Sequence, residues 1–87
     1  MRRTPIQVSA DILSIARDKP IRRTPLQRRS NLSTKRFTEY YQDLMRKQLI
    51  EEYNHEGHIY VRATDKGCLF LEKSAQLNKF MNEFGFI

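Results

Sequence analysis

Cysteine is almost absent from this sequence, since Cys68 is the single one in 87 residues. No internal disulfide framework can form, so the fold must rest on packing, which suits a reducing compartment. Apolar runs are equally scarce. None approaches the roughly 18 residues that a membrane-crossing helix needs. The start of the chain carries Arg2 and Arg3 but lacks the apolar stretch of a secretory signal. Cytoplasmic residence follows as the expectation. The sequence also lacks a Ser/His/Asp or Cys/His arrangement, a phosphate-cradling loop and a paired-carboxylate site, so neither an enzyme nor a cofactor is expected. No low-complexity segment or linker interrupts the chain. Its length suits one domain, 1–87, near the small end of what folds without staples.

What the sequence has in abundance is positive charge, unevenly placed. Residues 1–47 hold twelve Lys/Arg against four Asp/Glu, whereas residues 48–87 hold four against six. A basic half joined to a mildly acidic one suggests one surface for a polyanion and another for something else.

The opening Thr4-Pro5-Ile6-Gln7 has a capping Thr, a Pro for the first helical position and a Gln that completes a capping box. With Ile12, Leu13, Ile15 and Ala16 as its stripe, a first helix is predicted over 5–18. The same opening recurs as Thr24-Pro25-Leu26-Gln27 and predicts a short second helix over 25–30, with Thr24 again the cap. Ile21, just before it, suits a short extended stretch. Asn31-Leu32-Ser33 then makes a turn, and Phe37, Tyr40, Tyr41, Leu44 and Met45 define an amphipathic third helix over 34–48. Two helices joined by a tight turn form a helix-turn-helix layout. Ile59, Val61 and Ala63 alternate with Tyr60 and Arg62, which predicts a hairpin over 49–63 with the five-residue connection Asn54–His58. Thr64 caps a last helix over 64–84, which Gly85 ends.

This order, together with Asn31-Leu32-Ser33, Phe37, Tyr40, Leu44, Leu49-Ile50, Tyr60-Val61 and Thr64-Asp65-Lys66-Gly67, resembles the small archaeal winged-helix family. That family includes a dimeric basic chromatin protein and predicted transcriptional regulators. The likeness spans roughly residues 9–80, and its most specific marks are the Asn-Leu-Ser turn and the Thr-x-x-Gly start of the last helix. It implies an α+β, mainly helical winged helix-turn-helix: three N-terminal helices, a two-stranded wing and a C-terminal helix used for dimerisation. Relatives carry Gly where this chain has Gln48, so the end of the third helix is expected to be built differently here. The last helix is also shorter than the coiled coil of the chromatin-type relatives.

Double-stranded DNA is the expected partner, with the third helix in the major groove. Ser33, Thr34, Lys35, Arg36, Thr38 and Gln42 are the candidates for base edges. Arg22, Arg23, Arg28 and Arg29 surround the second helix and suit phosphates, with Arg2 and Arg3 as a short arm. In the wing, Asn54, His55, His58 and Arg62 are candidates, while Glu51, Glu52 and Glu56 would repel phosphate. The spacing of His55 and His58, without further nearby ligands, gives no metal site. Phe70, Leu77, Phe80, Met81, Phe84 and Ile87 lie in a seven-residue rhythm on the last helix and are the expected homodimer seam, Leu71, Ala75 and Cys68 being its inward arc. No membrane or small-molecule partner is indicated. The leading reading is a transcriptional regulator associated with the nucleoid. A chromatin protein with little sequence preference and a protein-interaction module are the alternatives.

Overall fold

Thr4 starts the first helix as its sequence predicts. Its hydroxyl accepts from Gln7 N (3.2 Å), and Gln7 Oε1 accepts from Thr4 N (2.8 Å). The computed structural model describes residues 3–86; Arg2 of the expected arm and Ile87 of the expected seam lie outside the described residues. The elements run α1 (Pro5–Asp18), β1 (Ile21–Arg22), α2 (Arg23–Ser30), α3 (Thr34–Arg46), β2 (Ile50–His55), β3 (His58–Ala63) and α4 (Asp65–Glu83). The three strands form one antiparallel sheet in the order β1-β3-β2.

One face of each element supplies the core: Val8, Ile12, Leu13 and Ala16 from α1, Leu26 from α2, and Phe37, Tyr41 and Leu44 from α3. Leu49, Ile50, Val61 and Leu71 close it from the sheet and α4. Ile15, Tyr40 and Met45 of the predicted stripes are only partly buried against this cluster.

The second helix begins differently from the first. Ile21 and Arg22 pair with Val61 and Tyr60 of β3, so the chain leaves the sheet straight into a helix whose cap is Arg22, without a side-chain cap. Thr24 therefore falls inside the first turn, not at the cap. Gln27 closes no box; its amide donates to Thr34 Oγ1 at 3.0 Å instead.

Gln48, by contrast, adopts the left-handed conformation that favours Gly (φ 61°). Leu49 N donates to Leu44 O and Gln48 N to Met45 O, both at 3.0 Å, the paired bonds of a Schellman end. The helix thus ends in a regular Schellman motif despite the non-glycine residue, and α3 stops at Arg46. The start of α4 is locked onto this junction. Thr64 accepts from Gly67 N (3.0 Å) and donates to Gln48 O (2.7 Å). A Cβ on Gly67 would stand 2.1 Å from Leu49 O, which explains the Thr-x-x-Gly pattern physically: only glycine lets α4 approach this closely.

The hairpin strands extend through His55 and His58, leaving a two-residue turn, Glu56-Gly57, in place of the five-residue connection. Both turn residues have positive φ (50° and 81°), as a type I′ turn requires. Asn54 Oδ1 accepts from Gly57 N at 3.2 Å. Ile59 is 48% exposed despite its inward position in the alternation, because it faces Arg22–Pro25 across an open groove.

Candidate nucleic-acid interface

Asn31 sets the angle between α2 and α3 by taking the left-handed conformation (φ 56°, ψ 46°), which Asn tolerates better than most residues. Ser33 then caps α3, accepting from Arg36 N at 3.3 Å. The bond from Gln27 to Thr34 ties the two helices together across the turn. With Phe37, Tyr41 and Leu44 buried, rotation by about 100° per residue places Lys35, Glu39 and Gln42 along the outer stripe. Ser33, Thr34, Lys35, Arg36 and Gln42 are exposed and Thr38 is half-buried.

Two grooves flank the start of α2. One lies between α2 and α3, where Thr24, Gln27 and Arg28 face Asn31, Leu32, Ser33 and Thr34. The other lies between α2 and the hairpin tip, where Arg22, Arg23, Thr24 and Pro25 face Gly57, His58 and Ile59. Thr24 lines both, so they join into one strip from the start of α3 across α2 to the wing. Arg29 is exposed but lies outside these two grooves.

Within the strip Arg23 has a fixed bearing. Its guanidinium lies 4.6 Å from the Tyr41 ring centre and 6.0 Å from that of Phe37, a stacking that favours both partners. The Tyr41 hydroxyl donates to Glu52 of β2. Burial first, then the bond to Glu52 and its negative charge, push that hydroxyl well above the usual tyrosine range, and Arg23 opposes the shift. Glu52 thereby ties the wing to α3.

The structure brings Arg22, Arg23, Arg28, Ser33, Thr34 and His58 to the strip or its walls. His55 pairs with His58 across the end of the hairpin. It does not bring Arg62 there. Arg62 sits at the wing base, bonded to Glu51 (2.7 Å) and stacked on Tyr53 (4.4 Å), beside Gln48 and Thr64–Lys66. Arg3 is not a free arm either, because its guanidinium bonds Asp11 (2.8 Å) and Ser30 O (3.0 Å). Sequence reading missed Thr24, Gln27, Asn31, Gly57 and Ile59 as lining residues. No local pattern marks them, because they meet only where α2, the turn and the wing tip come together.

A second surface lies on α4. Leu77, Phe80 and Phe84 are exposed at 46%, 51% and 64%, and Leu69 and Phe86 join them at 51% and 70%. Phe80 stacks against Phe84 and Phe86, with ring centres 4.8 and 6.5 Å apart. Met81 is half-buried and Phe70 packs partly onto the core. Of the inward arc, Leu71 is buried, Cys68 is half-buried and Ala75 is exposed.

The model of the winged helix-turn-helix family matches residues 2–82. The chain belongs to the winged helix-turn-helix family. The fold of this winged-helix protein is similar to that of F-93 of SSV1, with a TM-score of 0.69 at 17% identity over 95% of this chain and 94% of the other. It is also similar to S. aureus MepR, with a TM-score of 0.77 at 13% identity over 95% of this chain and 63% of that one. MarR of E. coli complexed with operator DNA gives a TM-score of 0.67 at 19% identity over 88% and 55%. The winged-helix chain thus spans little more than half the length of MarR and MepR, and nearly all of F-93. No curated protein sequence matches it. Among the described residues no helix is long and apolar enough to cross a membrane.

Proposed function

We propose that this winged-helix protein binds double-stranded DNA as a homodimer and regulates transcription. The observation that carries the proposal is the continuous strip from α3 across α2 to the wing, walled by Arg22, Arg23 and Arg28 and continued by exposed Lys35 and Arg36. Lys35 and Gln42, on the outer stripe of α3, enter the major groove and address guanine and adenine edges. Thr38, half-buried beside them, offers its methyl to thymine. Arg22 and Arg23, at a helix start with no side-chain cap, hold a phosphate together with the unpaired N–H groups of α2. His55 and His58 carry the wing tip to the neighbouring backbone, whereas Arg62 braces the wing from Glu51 and Tyr53.

Homodimerisation is supported by the exposed apolar seam of α4, since burying each such large side chain stabilises a complex by up to about 1.5–3 kcal/mol. Two recognition helices related by a two-fold axis favour a palindromic site. The MarR structure with operator DNA offers a precedent for this fold on DNA.

Amide chemical-shift mapping with a duplex tests the interface. The largest changes are expected at residues 22–28, 33–42 and 55–59. Changes confined to α4, or none, would refute it.

A further inference from the structure

The hairpin places a carboxylate on the face of the sheet that covers the core. Glu52 is in register with Val61, and Val61 with Ile21; because Val61 is buried, the whole row lies on the inward face. Ile50, two residues earlier on the same face, is buried as well. Glu52 is exposed, and its carboxylate accepts from the Tyr41 hydroxyl. Arg23 reaches the same tyrosine from α2, with its guanidinium 4.6 Å from the ring centre. One buried side chain therefore carries a cation on its face and an anion at its hydroxyl. Both charges are felt there, Glu52 raising and Arg23 lowering the pH at which the hydroxyl ionises. Yet among the described residues neither Arg23 nor Glu52 forms an ion pair.

We propose that Tyr41 is a positioning residue for DNA binding: by holding the Glu52 carboxylate on its hydroxyl, it keeps Arg23 free to bind a phosphate. This rests on the DNA-binding reading above and identifies what keeps one of its cations available.

Glu51 illustrates the alternative on the same hairpin. It bonds Arg62 at 2.7 Å, and Arg62 stays outside the strip. Glu52 is within reach of the equivalent pairing. Ile21 lies two strands away from it, about 10 Å across the sheet, and Arg23 follows two residues later. Extended Arg and Glu side chains together cover that distance. The hydroxyl prevails because a buried donor left unpaired costs more than an exposed ion pair gains. Without the hydroxyl nothing opposes the ion pair, and Arg23 is neutralised before DNA arrives.

Salt titrations of a labelled duplex test this with Tyr41→Phe, which keeps the ring, the core packing and the stacked guanidinium. Tyr41→Phe should flatten the slope of log affinity against log salt by up to about 0.9 for each bound subunit. Adding Glu52→Gln should restore the parent slope, since the amide has no charge to set against Arg23. Arg23→Ala should flatten the slope at least as much, and Tyr41→Phe should add nothing on that background. An unchanged slope for Tyr41→Phe overturns the proposal. So does a loss that Glu52→Gln fails to rescue, which would mean that the bond acts by bracing the wing alone. In both cases the parent still binds, and the DNA-binding reading stands. A parent chain without affinity for the duplex overturns both.

Discussion

Gly67 and Gln48 are neighbours across the α3–α4 junction, and they make opposite demands on their side chains. Gly67→Ala places a methyl within 2.1 Å of the Leu49 carbonyl oxygen. It should cost about 3 kcal/mol in urea unfolding at fixed protein concentration, the upper end for overpacked sites. Gln48→Gly relieves a left-handed residue (φ 61°) and should stabilise by about 1 kcal/mol in the same assay. Tyr41 gives a pH test. Its hydroxyl ionises at higher pH in the folded chain than in the unfolded one. The folded state therefore holds more protons above the ordinary tyrosine value of about 10. Its contribution is complete below that value and declines as pH rises above it. Tyr41→Phe should flatten that alkaline limb of the stability curve, and an identical limb would count against the Tyr41–Glu52 bond. These roles were legible to different degrees. Thr64 and Gly67 stood out by spacing, whereas the Tyr41–Glu52–Arg23 contact depends on three elements meeting and leaves no local pattern.

At the level of elements, periodicity located α1, α3 and the wing, and helix-start chemistry located α2 and α4. The misreadings share one cause, which is tertiary context overriding local chemistry. The sequence Thr-Pro-x-Gln caps α1 but not α2, because β1 delivers the chain to α2 already hydrogen-bonded to β3. The alternation put Ile59 on the face of buried Val61, but it gave no sign of the open groove that leaves Ile59 exposed. Arg62, a candidate by sequence, sits at the wing base because the strands run on to a two-residue turn. The apolar excess of α4 was visible as a seven-residue rhythm, and its exposed Leu77, Phe80 and Phe84 motivate a direct test. Leu77→Glu should convert a micromolar dimer to monomer in sedimentation velocity without loss of helicity. An unchanged dimer would place the interface elsewhere.

For the molecule as a whole, the two halves of the charge distribution correspond to two surfaces. The strip along α2, α3 and the wing tip carries Arg22, Arg23 and Arg28 of the first half, while the second half carries the apolar seam and ties its Arg62 to Glu51. The division predicts that DNA affinity is electrostatic in origin and confined to the strip. Titrating a labelled duplex of roughly 25 base pairs, long enough for two half-sites one turn apart, against salt tests this most directly. Each phosphate contact contributes about 0.9 to the slope of log affinity against log salt. The parent protein should therefore bind with a steep negative slope. Arg22→Ala combined with Arg28→Ala, two phosphate contacts in each of two subunits, should flatten it by about 3.6. Equal affinity and equal slope for parent and variant would contradict the account.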